Sequence, residues 1–144
     1  MQDPTRQPSP ETPSQKSELE SRHPSRREYP FSHQRLDVFR VAIEMAAGAR
    51  ALADRVPRGY RSFADQLLRA AGQTVLLIGE GANRYTTGQK RQRYTEARGE
   101  CGEVAAAVEL LATLRLVPPA DARRVAHLAG RVAAMLTRLI QRHR

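Results

Sequence analysis

The stretch Ile78–Lys90, IGEGANRYTTGQK, decides how this chain is read. Its three glycines (Gly79, Gly81, Gly88), two threonines and lysine look like a loop that wraps a phosphate. Gly79-x-Gly81-x-x-Arg84 approaches the dinucleotide fingerprint, but an arginine stands where the third glycine belongs. That fingerprint must also follow a β-strand and open a helix, so that free backbone N–H groups face the pyrophosphate. Residues 66–78, QLLRAAGQTVLLI, carry their apolar side chains at helical spacing instead. Gly79 and Gly81 then fall at the end of a helix, where the N–H groups already bond the preceding turn and cannot cradle an anion. Gly88-Gln-Lys90 lacks the first glycine and the following Ser or Thr of a P-loop. The stretch reads as a packed corner between two helices.

The same spacing extends both ways along the chain. Leu36, Phe39, Ile43, Ala46, Ala47, Leu52, Ala53 and Val56 fit one apolar helix face, ended by Pro57 and Gly59. A second helix opens at Ser62, with Asp65 three residues on as in a capping box. Its face is Phe63, Leu67, Ala70, Ala71, Thr74, Leu77 and Ile78. A third starts at Thr86, with Gln89 three residues later. It buries Tyr94, Ala97, Cys101, Val104, Val108 and Leu111 and stops near Leu116. Pro118 and Pro119 open a fourth, where Asp121 meets the positive end of the helix dipole. Its face is Val125, Leu128, Val132, Met135 and Leu139. Strand alternation is absent. Short connections force antiparallel neighbours, so the expected fold is all-α, an up-down-up-down four-helix bundle over residues 31–144.

Residues 1–30 are of another kind. They hold six of the nine prolines and, beyond Met1, one aliphatic residue, Leu19. So little apolar area cannot offset the entropy of ordering, and a disordered tail is expected. The tail also lacks the apolar run of a signal peptide and the acid-poor balance of a transit peptide. With no run of 18 apolar residues in the chain, a cytoplasmic protein without membrane contact is expected. The tail's five basic and five acidic residues cancel, so the net charge of +9 belongs to the body. A body this basic suits a polyanionic partner, or else carries a solvated, ion-paired surface.

Seven of the nine glycines fall inside expected helices, each costing about 0.5–1 kcal/mol relative to alanine. Close helix approach is the usual compensation. Gly72 and Gly79 share one face and Gly99 and Gly102 another, so the second and third helices should pack tightly near their hairpin.

QLLRAA (66–71), IGEGANR (78–84) and ARGECGE (97–103) resemble the four-helix-bundle family of the 23S rRNA intervening-sequence proteins. That family reads Q-L-R-R-A-A, then I-A-E-G-x-x-R, then A-x-G-S-x-x-E. More distantly the chain resembles the accessory variability determinant of diversity-generating retroelements. The resemblance spans about residues 31–143, and Glu80-Gly-x-x-Arg84 is its most specific part. The chain departs from the family at Gln73–Leu77, where Ser-Ile-Pro-Ser-Asn is usual, and at Glu100 in place of Ser. The resemblance implies a non-enzymatic, ring-like homopentamer. In the retroelement branch it implies binding to a reverse transcriptase and to nucleic acid.

Two charged constellations stand out. Glu80 and Arg84 are an i, i+4 acid-then-base pair, and Glu96, Glu100 and Glu103 form one stripe. Antiparallel packing can bring Arg69 or Arg84 toward Glu100 or Glu103, so a structural salt-bridge network over Arg69, Glu80, Arg84, Glu100 and Glu103 is expected. A carboxylate metal site is the other reading of these residues. Di-iron bundles need Glu-x-x-His, and none of the four histidines (His23, His33, His127, His143) has Glu three before it. Cys101 falls on an apolar face and reads as a core residue. No catalytic residue, metal or cofactor is implied.

The second constellation is basic: Arg84, Lys90, Arg91 and Arg93 at the hairpin, and Arg138 and Arg142 with Arg144 at the C-terminus. The two clusters are expected at opposite ends of the bundle and joined into a positive rim only by a ring of subunits. With seven aromatics in the chain, several in core positions, stacking on bases is not the expected mode. Binding to RNA or DNA would be backbone-led and salt-dependent. The alternative is a structural or protein-interaction scaffold that binds no nucleic acid. Val38, Val41, Leu68, Val75, Leu76 and Leu136 fall off the expected core stripes and would form an oligomer interface.

Overall fold

Leu67, Ala70, Ala71, Thr74 and Ile78 recur at three- and four-residue steps and form the buried stripe of one long helix. The computed structural model describes residues 30–144. It holds four such helices: α1 (Asp37–Arg55), α2 (Arg61–Asn83), α3 (Thr87–Thr113) and α4 (Pro119–Arg142). Short 3₁₀ turns, Ser32–Arg35 and Arg58–Tyr60, lead into α1 and α2. Each helix packs on the next and α4 returns onto α1, closing an antiparallel four-helix bundle. No strand occurs among the described residues. The segment read as a disordered tail lies, but for Pro30, outside them.

The helix ends follow local chemistry. Thr86 caps α3, its side-chain oxygen accepting from the Gln89 N–H at 3.2 Å. The capping box expected at Ser62 does not form, because the turn at Arg58–Tyr60 carries the chain into α2 with its N-cap two residues earlier. Tyr60 is the N-cap there and offers no side-chain bond. At the end of α3 the Leu116 N–H bonds the Leu111 carbonyl at 2.9 Å and the Arg115 N–H bonds that of Ala112 at 3.0 Å. This double closure turns Arg115 to φ 58°, a place where glycine is usual. Pro118 and Pro119 then start α4.

The core is a run of small and branched side chains along the bundle axis. α3 buries Tyr94, Ala97, Cys101, Val104, Val108 and Leu111, as its spacing predicts. In α1 Leu52 and Ala53, with Val56 just beyond, are buried as expected, but the earlier turns bury Val38, Val41, Ala42, Met45 and Ala49, while Ile43 is 47% exposed. The helix has two apolar stripes, and the one that enters the core is the one with Met45. In α4 Ala122, Val125, Ala129, Val132 and Leu136 are buried, with Leu128, Met135 and Leu139 at the boundary. Val38, Val41 and Leu136 are therefore core residues and leave the expected oligomer patch. Leu68 and Val75 are half-buried and Leu76 stays 62% exposed.

One glycine sets the approach of α2 to α3. A Cβ built on Gly81 would lie 2.7 Å from Tyr94 Cε1, far inside van der Waals contact. The Tyr94 ring is itself buried and cannot swing away. A Cβ on Gly48 would meet Val125 at 3.0 Å, which marks a second close approach, between α1 and α4. Gly72, Gly99 and Gly102 have open space where a Cβ would go, so the tight hairpin packing comes from Gly81 and not from those pairs. Gly81→Ala should therefore destabilise the fold by about 1–3 kcal/mol through overpacking. Gly99→Ala should stabilise it by about 0.5–1 kcal/mol through helix propensity. Urea unfolding of the two variants checks this, and equal midpoints would contradict the notch at Gly81.

Candidate nucleic-acid interface

A bundle with an even number of helices brings the chain back to the end where it began. The start of α1, the end of α2, the start of α3 and the end of α4 share one pole. The side chains confirm it: the His143 ring lies 5.9 Å from that of Tyr94, and Arg138 and Arg142 line a hollow with Leu36 and Asp37. The two basic clusters expected at opposite ends are therefore at the same end. The expectation failed on topology, since the ends of α2 and α4 point the same way.

Not every cation at this pole faces solvent. Lys90 folds back over the end of α2 and donates to the carbonyls of Ala82 at 2.9 Å and Gly81 at 3.4 Å. It closes the carbonyl end of the helix, where the Gly81 carbonyl also accepts from the Arg84 N–H at 3.3 Å. Asn83 acts beside it, donating to the Gly79 carbonyl at 2.8 Å and accepting from the Ser32 N–H at 3.2 Å. Arg93 reaches Glu80 at 3.1 Å and Glu96 at 2.6 Å, and Arg84 reaches Glu80 at 3.5 Å. Sequence reasoning placed Lys90 and Arg93 among nucleic-acid contacts. A lysine four residues into a helix that follows a tight turn is the signal for such a cap.

Arg91, Arg138, Arg142 and Arg144 are exposed, and none has a carboxylate partner among the described residues. Those four arginines are the available charge at the pole. Partial burial and the neighbouring Lys90 and Arg142 hold the pKa of His143 below the ordinary histidine value. The surface can hold polyanion phosphates by charge and by guanidinium hydrogen bonds.

The acidic stripe on α3 is matched from α2. Arg69 bonds Glu100 at 3.2 Å and bonds Glu103 as well. The carboxylates raise the Arg69 pKa, the hydrogen bond to Glu103 most. Arg84 does not join this set and stays with Glu80. The five residues named from the sequence thus divide into two local groups, with Arg93 and Glu96 the members that reading missed. The pairs are half-exposed, so they set helix register more than stability. No group of three or more His, Cys, Asp and Glu able to hold a metal occurs among the described residues. None of the helices is long and apolar enough to cross a membrane.

Cys101 is in the core, its thiol donating to the Ala129 carbonyl at 3.1 Å and touching Met45. Burial pushes its pKa up to about 11. An unfolded thiol ionises near roughly 8.5. The neutral thiol thus contributes stability that is complete below that value and is lost as pH rises through about 11. At pH 8 a disulfide reagent should modify the native protein at least ~100-fold more slowly than the urea-unfolded chain. Equal rates would contradict the buried placement.

Residues 34–138 match the family of 23S rRNA-intervening sequence proteins. That span runs from the turn before α1 to Arg138 near the end of α4 and so takes in all four helices. No curated protein matches the chain. The helical architecture and the match over most of its length agree, and the chain belongs to the 23S rRNA-intervening sequence protein family.

Proposed function

We propose that this protein is a non-enzymatic, homo-oligomeric accessory factor that binds RNA or DNA through its basic pole. The observation that supports the reading is the convergence of Arg91, Arg138, Arg142 and Arg144 on one end of the bundle, each exposed and without a carboxylate partner. Arginine forks match phosphate oxygens in pairs. Among the described residues the aromatics exposed at this end are Phe31 and Tyr85, which share a hollow with His33, too few for a platform of stacked bases. Contacts are therefore to the backbone, with little preference among sequences. In an oligomer whose copies align, each pole repeats around an axis and the positive surface grows with subunit number. The pentamer and a reverse transcriptase partner have the family resemblance behind them.

The test is binding of short single- and double-stranded RNA and DNA across salt concentration. The expected result is affinity that falls steeply with salt. Combined Arg91→Ala, Arg138→Ala and Arg142→Ala should lower affinity at least ~10-fold. For a duplex it should flatten the log–log salt slope by up to about 3. Arg58→Ala, at the other pole, should change neither. Absence of binding to all four probes at low salt would overturn the proposal.

A further inference from the structure

The pole carries a feature that its arginines do not account for. On the α1/α2 side a hollow of about 650 Å³ lies between the turn before α1, the last turns of α2 and the corner. Its walls hold four rings: Phe31, His33, Phe39 and Tyr85. Tyr85 is 98% exposed and Phe31 58%, so neither adds to the core. The hollow adjoins the available charge. Leu36 and Asp37 border the hollow of Arg138 and Arg142, and Phe39, two residues after Asp37, borders this one.

The rings are set in place. Phe31 stacks on His33 with centroids 5.8 Å apart and planes 21° from parallel, and His33 meets Phe39 at 4.6 Å. Asn83 holds the middle ring. Its carbonyl oxygen accepts from the Ser32 N–H and one amide hydrogen goes to the Gly79 carbonyl. The other is therefore donated to His33 Nδ1, at 2.9 Å. With Nδ1 the acceptor, the neutral ring carries its proton on Nε2. Gly79 keeps the floor open. A Cβ there would stand 3.9 Å from Phe39 and 4.0 Å from His33, in the space those rings border. The carboxylate on the wall, Glu80, is paired with Arg84 and Arg93.

We infer that the aromatic hollow takes one unpaired nucleobase of a strand whose phosphates lie on the basic pole. Flat π faces, a histidine N–H donor and arginines alongside match a base joined to its phosphates. A cationic ligand, the other class that aromatic walls attract, is disfavoured beside Arg84, Arg138 and Arg142. Every base has a π face, so the stack adds affinity without choosing among sequences. A base paired within a duplex is not free to enter. The base meets side chains, and the Gly79 and Gly81 amides stay within α2. One stacked base is too small a gain to hold a free mononucleotide. It counts once neighbouring phosphates are on the arginines. The inference rests on the nucleic-acid reading of the pole and adds a base contact to the backbone contacts.

The experiment titrates the full chain with a short single-stranded oligothymidine and with an abasic strand of the same length, so that the phosphates match. The base-bearing strand should bind at least ~5-fold tighter. Tyr85→Ala, at an exposed position, and Gly79→Leu, which fills the floor, should each remove most of that difference. Both should leave the affinity for the abasic strand unchanged and keep native helix content by circular dichroism. Tyr85→Phe should retain the difference. A 5-iodouracil placed in the strand should photocross-link to Phe31, His33 or Tyr85, as located by mass spectrometry. Equal affinity of the wild-type protein for the two strands would overturn the inference and leave the basic pole standing. So would a difference that survives in both Tyr85→Ala and Gly79→Leu, or cross-links confined to other residues. Binding of neither strand at low salt would remove the basic pole and this hollow's base together.

Discussion

The fit of Tyr94 into the notch at Gly81 is the constraint on which the molecule depends. With no side chain at Gly81, the α2 backbone comes down on an aromatic ring buried in the first turns of α3. The ring fixes how far α3 can slide along α2. Arg69 then meets Glu100 and Glu103, and Arg93 meets Glu80, across the two helices at that register. The Lys90 ammonium closes the carbonyl end of α2, and the Thr86 hydroxyl closes the amide end of α3. A run of thirteen residues with the look of a phosphate loop is thus a corner whose polar groups are largely satisfied by the chain itself.

The corner also decides where charge collects. Because α2 and α4 both descend to it, His143 and Arg142 arrive beside Lys90. Lys90, Arg84 and Arg93 are held by carbonyls and carboxylates, which leaves the arginines one step outward, at 91, 138, 142 and 144, facing water. Structural and available cations thus come from the same short segments. What separates them is whether the side chain lies over a helix end or away from it.

Much of this was legible in the sequence, and the failures have physical reasons. The face of α3 was read residue by residue, because it carries one apolar stripe between strongly polar positions. The first turns of α1 carry two apolar stripes, and spacing alone does not choose between Phe39, Ile43 and Ala46 and the buried Val38, Val41, Ala42 and Met45, whereas Leu52, Ala53 and Val56 are buried as expected. In α4 Val125 and Val132 are buried as expected, but Ala122, Ala129 and Leu136 complete the core and Leu128, Met135 and Leu139 stay at its boundary, so the buried axis lies about one position from the expected one. The helical glycines were visible as costs, but a sequence does not show which of them meets a neighbour. Only Gly81 and Gly48 are crowded; a Cβ on Gly79 would make ordinary contact with Phe39 and His33, and one on any of the others would meet nothing within 4 Å. The placement of the two basic clusters needed no coordinates, only the parity of four helices.

The central claim is that residues 78–90 are a closed helical corner and not a ligand cradle. Amide hydrogen exchange followed by NMR, with and without added ATP or NAD, reads this directly. The account predicts that the Gly79 and Gly81 amides exchange slowly, close to the rate of global unfolding, and that neither nucleotide changes them. Fast exchange at both glycines in the free protein, or new protection there on adding a nucleotide, would contradict it.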